Sequence, residues 1–282
     1  MDLSEIARLR ETYARDGVVY LPKALGPADL KMAEDAFTWS MSNPGPLARS
    51  FEGGTGTFYN DLLNPDALTA YRRLLESSAA ADIVGALWPK NDVWFLYEQI
   101  FLKEGGESRR TPWHQDSSYL PIDGDTIAVM WIPFDPVAKE DSLEFVRGSH
   151  KGVLYDGSSF DPDDDTTPIY GDGSMPRLPD IEKNRSAYDI VSWGCAPGDV
   201  VVFHPAILHG GAPTHVGSRR RTLSLRFFGA DARYQGRPGF DDDVASLDQS
   251  VFGQMRRDLA DGAPFRHPYF PRIRENGRPV AS

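Results

Sequence analysis

Pro112-Trp113-His114-Gln115-Asp116-Ser117-Ser118 is the stretch on which the reading of this chain turns. In extended backbone, residues i and i+2 point to the same face, so His114 and Asp116 can reach one metal ion while Gln115 points away. A second histidine, His209, lies far downstream. His-x-Asp plus one distant His is the ligand set of the 2-His-1-carboxylate facial triad. That triad holds Fe(II) by one octahedral face and leaves the other open. His209 follows the strand run Val200-Val201-Val202-Phe203, which starts after a Gly198-Asp199 turn. It precedes Gly210-Gly211, where the absence of side chains lets another backbone come close. His204, before Pro205, and His215, in the loop after Pro213-Thr214, are rival third ligands. His150 reads as a hydrogen-bonded turn residue and His267 as a surface residue.

Working outward, helical spacing dominates before residue 92. Ser4 to Arg15 reads as a helix stopped by Asp16-Gly17, and Val18 to Leu21 as a short strand. Pro27 opens a second helix running to about Met41, and further helices are expected over Pro65–Leu75 and Ser77–Leu87. The texture then changes to β-branched and aromatic runs. Strands are expected at Val93–Leu102, Thr126–Phe134, Leu143–Val146, Tyr188–Ser192, Asp199–His204 and Arg221–Phe228. The acidic, Pro- and Gly-bearing stretch at about 156–184 reads as a loop insertion, either a lid or a solvated loop. From Gln235 the chain reads as irregular, with one helix around Asp248–Leu259. Helices followed by many short strands indicate an α+β chain with an antiparallel barrel or sandwich core. The expected organisation is one domain over 1–282: a mostly helical part (1–91), a barrel core (92–234) and a C-terminal extension (235–282).

Composition narrows the function. The 282 residues carry a net charge of −11, and a nucleic-acid binder would be basic, so phosphate backbones are not expected partners. Arg219-Arg220-Arg221 is too short a basic run to make a groove. No stretch approaches the ~18 apolar residues of a spanning helix, so no membrane is expected. The one cysteine, Cys195, reads as a plain buried thiol and rules out an internal disulfide. With no secretory signal at Met1–Glu5, a reducing, cytoplasmic setting is expected.

The motifs also occur in a telling order: Asp16-Gly17-Val18-Val19; Gln99-x-Phe101-x-Lys103; Pro112-Trp113-His114-Gln115-Asp116; Trp131-Ile132-Pro133-Phe134-Asp135; Ser142 to His150; Pro197-Gly198-Asp199-Val200; and His209-Gly210 followed by Arg220. Across roughly residues 10 to 235 the chain thereby resembles the phytanoyl-CoA dioxygenase-like family of Fe(II)/2-oxoglutarate oxygenases, which includes phytanoyl-CoA and ectoine hydroxylases. The resemblance implies a double-stranded β-helix, a jelly-roll barrel with helices outside. It implies that His114, Asp116 and His209 are the metal ligands and catalytic centre. Fe(II) would be the metal, with 2-oxoglutarate and O2 as cosubstrates converted to succinate and CO2 while an unactivated C–H of a small molecule is hydroxylated. Arg220 matches the position that pairs with the distal carboxylate of 2-oxoglutarate, a task suited to a planar, permanently charged guanidinium. On a strand, Arg220, Thr222, Ser224 and Arg226 share the polar face and Arg221 lies on the other, which leaves Arg221 as the fallback. Trp131 matches a position lining the cosubstrate pocket. Tyr97, Gln99, Trp113, Ser117 and Arg226 are candidate substrate contacts, with Tyr59, Asn60 and Phe228 behind them. Gln99 and Arg226 suit a polar or anionic substrate.

The acid at 116 favours hydroxylation over halogenation, because related halogenases have a small residue there. Demethylation and desaturation stay open. The alternatives are a metal-dependent cupin enzyme that uses no 2-oxoglutarate, which leaves Arg220 unexplained, and a non-catalytic barrel, which usually lacks a ligand.

Overall fold

Gly17, with φ of +76°, ends the first helix as its DG sequence suggests, and in a computed structural model the chain turns there into its first strand. The structure describes residues 3–53, 56–106, 109–211, 213–238 and 251–280. Helix α1 (Leu3–Asp16) leads into strand β1 (Val18–Leu21) and helix α2 (Pro27–Ser42). Pro27 sits in the first turn of α2, where its missing N–H costs nothing. A hairpin comes next, β2 (Arg49–Gly53) and β3 (Gly56–Leu62), then helices α3 (Ala67–Ser77) and α4 (Ala80–Ala86). The remaining strands are β4 (Val93–Glu104), β5 (Thr111–His114), β6 (Ile122–Asp123), β7 (Ile127–Pro133), β8 (Leu143–Val146), β9 (Ile190–Ser192), β10 (Val200–Phe203), β11 (His209–Gly211), β12 (Arg219–Phe228) and β13 (Arg233–Tyr234). Helix α5 (Val251–Asp258) and strands β14 (Arg272–Glu275) and β15 (Arg278–Pro279) close the described chain.

Most of the strands form two facing antiparallel sheets, and β6 pairs with β13 apart from them. The major sheet runs β1-β10-β7-β12-β4-β14-β15, with the β2–β3 hairpin joined to β4. The minor sheet runs β5-β11-β8-β9. Phe145 of β8 meets Phe203 of β10 with ring centroids 5.1 Å apart, which places the two sheets in contact. This is the double-stranded β-helix that the resemblance implies.

Strand β7 is buried along its whole length because the major sheet is covered on both faces. Outward, Ala128, Met130 and Ile132 join Leu223, Leu225 and Ile100 in a core with Phe37 of α2, Tyr71 and Leu74 of α3, and Val84 of α4. Inward, Val129 and Trp131 pack with Val201, Phe203, Phe145 and Ile207. Each Val, Leu, Ile, Phe or Met among them contributes roughly 1.5–3 kcal/mol on burial.

The inner surface of the major sheet is divided. Its β1-β10-β7 side is apolar. On the other side, Lys103, Phe101, Gln99 and Tyr97 of β4 stand in register with Arg220, Thr222, Ser224 and Arg226 of β12. Thr222, Ser224, Lys103 and Arg226 are all buried there.

Three expectations need correcting. The N-terminal third holds the expected helices but also an unexpected hairpin, because β2 and β3 extend the major sheet at its β4 edge. The C-terminal stretch is not simply irregular, since β14 pairs with β4. Asp116 opens a 3-10 turn (Asp116–Tyr119) and is not on the strand. Gln115 before it stays extended (φ −122°, ψ 122°), so the same-face relation of 114 and 116 survives. The expected helix around 248–259 appears as α5, and its expected first residues, 248–250, lie outside the described residues. The insertion at 156–184 is a long loop whose one isolated bridge joins Ser158 and Pro168. No helix among the described residues is long and apolar enough to cross a membrane.

Candidate active site

Strands β5 and β11 are neighbours in the minor sheet, and their register makes His114 and His209 direct partners. Two glycines permit the approach. A Cβ on Gly210 would lie 3.1 Å from the Thr111 carbonyl, and one on Gly211 would lie 3.0 Å from Thr111 Oγ1. His114, Asp116 and His209 thus bring three ligand atoms within 4.8 Å of one another.

Each ligand is oriented by a second contact. His114 Nδ1 lies 2.8 Å from the Pro112 carbonyl, and His209 Nδ1 lies 3.0 Å from the Ile207 carbonyl. A ring nitrogen beside a carbonyl carries the proton, so both Nε2 lone pairs are free for a metal. Asp116 Oδ1 is 3.4 Å from His114 Nε2 and 3.8 Å from His209 Nε2. Two ligands at right angles on an ion with bonds of about 2.1 Å lie about 3 Å apart, so small shifts close the set. The other carboxylate oxygen, Oδ2, accepts a hydrogen bond from Arg226 Nη2 at 2.9 Å. Burial works to raise the Asp116 pKa, but Arg226 and the two histidines outweigh it and hold the carboxyl far below its usual range. Burial, with His114 adding, pushes His209 down to about 3. An anionic acid and a neutral imidazole are the states that bind a divalent cation. The residues present therefore fit an iron ion.

His204 and His215 are elsewhere. His204 Nε2 is 2.9 Å from the Gly124 carbonyl, and His215 is exposed beside Asp141. His150 packs against the His204 ring at 5.5 Å.

The arginine choice follows the strand parity. Arg221 points outward and forks onto Asp135, with Nη2 2.8 Å from Oδ1 and Nε 3.1 Å from Oδ2. Arg220 points inward, where burial lowers it to about 10 despite the nearby Asp141, and donates to the Asp141 carbonyl. Thr222, Ser224 and Trp131 line the same interior.

The expected substrate contacts lie in four different settings. Gln99 and Tyr97 lie on the inner face, with Gln99 Nε2 donating to Asn60 at 3.2 Å. Arg226 is engaged through Nη2, which also donates to Gln99 Oε1 at 2.7 Å, and its guanidinium lies 4.5 Å over the Tyr97 ring, while its Nε and Nη1 are buried with no hydrogen-bond partner among the described residues. Trp113 lies on the far side of β5 from His114. It packs with Val146, Leu178, Ile181 and Leu208, and its Nε1 donates to Glu182 at 2.6 Å. Strand alternation is the reason, and it was available in the sequence. Ser117 is buried, its N–H held by the Pro205 carbonyl and its own carbonyl by Arg237.

Two aromatic residues near the metal ligands escaped sequence reasoning. Phe160 of the insertion lies edge-on to His114 at 5.5 Å and stacks on Tyr119 at 6.1 Å. It is 45% exposed and holds φ of +58°, a left-handed conformation that bulky residues avoid. Phe160 sits in a solvated acidic stretch that carries no periodic signal. A groove of about 680 Å³ lies beyond, lined by Trp113, Arg109, Asp163, Asp164, Arg177 and Lys183 and not by any metal ligand.

The sequence profile described as phytanoyl-CoA dioxygenase (PhyH) matches residues 13–222. The chain belongs to the phytanoyl-CoA dioxygenase family. Human peroxisomal phytanoyl-CoA dioxygenase is 29% identical over 133 residues, 46% of this family member and 37% of the human protein. A probable alpha-ketoglutarate-dependent hypophosphite dioxygenase of Stutzerimonas stutzeri is 28% identical over 145 residues, 49% of this chain and 48% of that protein. The matches thus span less than half the length of these curated relatives. Among solved structures, the non-heme alpha ketoglutarate dependent epimerase SnoN superposes with a TM-score of 0.71 at 22% identity, over 97% of this chain and 100% of SnoN. SnoN has also been solved with Fe3+ and alpha ketoglutarate. EctD from S. alaskensis, with 2-oxoglutarate and 5-hydroxyectoine, gives 0.61 at 18% identity, over 81% of this chain and 78% of EctD. At these identities the structural likeness carries the fold.

Proposed function

We propose that this family member is a non-haem Fe(II)- and 2-oxoglutarate-dependent dioxygenase that hydroxylates an unactivated C–H of a small molecule. The observation that carries the reading is the convergence of His114 Nε2, Asp116 Oδ1 and His209 Nε2, each with its other polar atom held by the protein. When bound, iron and 2-oxoglutarate supply the redox chemistry, dividing O2 between succinate, with loss of CO2, and the hydroxyl on the substrate.

The protein's part is orientation. His114 and His209 present their lone pairs from paired strands, and Arg226 holds Asp116 so that one oxygen faces the ion. Arg220 is the contact for the distal carboxylate, with Thr222 and Trp131 lining that pocket. Tyr97, Gln99 and Ser117 remain the candidates for substrate contact. Phe160 offers an exposed apolar ring beside His114. Arg226 is better read as the support of Asp116 than as a clamp for an anionic substrate. An acid at 116 fills the position a halide would need, which supports hydroxylation over halide transfer.

Anaerobic addition of Fe(II) and 2-oxoglutarate is expected to give a weak visible charge-transfer band, and admission of O2 to yield succinate. A protein that binds iron but gives neither would be a metal enzyme of another kind. Asp116→Ala is expected to lose both signals; undiminished succinate formation would remove Asp116 from the ligand set.

A further inference from the structure

We infer that Lys103 is a second cationic contact for the distal carboxylate of 2-oxoglutarate, standing across the strand pair from Arg220. The inference rests on the oxygenase reading above and deepens it.

Lys103 and Arg220 are register partners on β4 and β12, on the face turned toward the minor sheet. Lys103 is only 5% exposed. On the β3 side it is covered by Phe58, its Nζ 4.8 Å from the ring centroid, and Phe58 stacks on Phe101 at 6.3 Å. Among the described residues no carboxylate pairs with this ammonium, and the charge that acts on it is the like charge of Arg220. The neighbouring acids are engaged elsewhere. Glu104 pairs with Arg219 at 3.3 Å on the opposite face. Asp141 acts on Arg220 and lies 3.0 Å from His215.

A buried ammonium without a counter-anion is unfavourable, and a cation–π contact offsets only part of that cost. Two inward cations on adjacent strands, beside buried hydroxyls and near a metal triad, form a site for an anion. A dicarboxylate suits such a site: a keto acid would chelate the ion and a far carboxylate would meet the two cations. Burial, with Arg220 adding, pushes free Lys103 down to about 7, so the empty site is partly neutral just above neutral pH. An arriving carboxylate raises that pKa and draws in a proton. Affinity is therefore full below the free-site pKa and falls as pH rises past it.

The test is calorimetric titration of 2-oxoglutarate into Mn(II)-loaded protein just above neutral pH, in two buffers of different ionisation enthalpy. Wild-type protein is expected to take up a fraction of a proton per ligand. Lys103→Met should abolish that uptake and weaken binding ~10- to 100-fold, the range for a lost charged hydrogen bond. It should leave 2-oxopentanoate, which lacks the distal carboxylate, bound as before. Lys103→Arg should keep most of the affinity without the proton uptake, and circular dichroism checks that both variants fold. Wild-type affinity and proton uptake in folded Lys103→Met would overturn the inference while the oxygenase reading stands. No 2-oxoglutarate binding by wild-type protein would overturn that reading, and this inference with it.

Discussion

Asp116 uses its two oxygens differently, and Arg226 keeps them apart. Oδ2 takes the 2.9 Å hydrogen bond from Arg226 while Oδ1 faces both histidines. Arg226→Met should free the carboxylate to rotate and weaken metal binding by about 10- to 100-fold, the usual range for a lost supporting contact. Metal titration followed by tryptophan fluorescence measures it, and Arg226→Lys should recover part of the affinity. Sequence parity placed Arg226 on the polar face of β12 but could not reveal its partner, because Asp116 arrives from the opposite sheet. The ligands themselves were legible because His-x-Asp is local and the downstream histidine follows a recognisable strand. Glu98 makes a second residue-scale case. Burial pushes its carboxyl up to about 7, against the hydrogen bond it accepts from the Asn64 N–H. A raised folded pKa means that stability is full below the ordinary value of 4.5 and declines as pH rises through about 7. Glu98→Gln keeps an oxygen for Asn64 and removes the charge. It should raise stability by roughly 1–3 kcal/mol above neutral pH, with the gain vanishing toward pH 4.5 in urea titrations.

The segment that leads into the insertion at 156–184 is held by the residue that separates two metal ligands. Gln115, expected only to point away from the metal, donates to the carbonyls of Ala206 (2.7 Å) and Val153 (3.1 Å) and accepts from the Tyr155 N–H (2.9 Å). Ser118 and Tyr119 add hydrogen bonds to the carbonyls of Tyr155 and Ser158. Gln115→Ala should cost about 2 kcal/mol through unmatched buried polar groups. It should also speed amide exchange around Tyr155, read by hydrogen-exchange mass spectrometry; unchanged exchange there would show that the loop is held by other contacts. The central strands could be read because β7 and β10 are apolar runs buried on both faces. The β2–β3 hairpin could not: β3 pairs only at the sheet's flank and shows no alternation of buried and exposed positions. Strand β14 was hidden for a similar reason. Its sequence, Arg-Ile-Arg-Glu, looks like a solvated segment, yet Arg274 is buried and donates to Asp82 of α4 and to the carbonyls of Leu75 and Ser78.

At the scale of the whole molecule, the two sheets are held together by an apolar core on one side only. The other side is a wall of Lys103, Gln99, Arg220, Thr222 and Arg226, whose burial a bound anion would compensate in part. The minor sheet is the thinner partner, built from strands of three or four residues. An ion held by His114 and His209 links β5 to β11 across their register. A ligand that binds only the folded state adds about 2.7 kcal/mol when present at a hundred times its Kd. Stripping the metal with a chelator should therefore lower the melting temperature by several degrees, with recovery on adding Mn(II) or Zn(II), which scanning calorimetry can follow. No change on stripping would mean that β5 and β11 hold their pairing unaided. With the ion as a clasp, metal supply would set how long a molecule keeps its fold as well as whether its proposed site can work. A molecule without the ion is expected to open its thinner sheet more often, which exposes that sheet to proteolysis first.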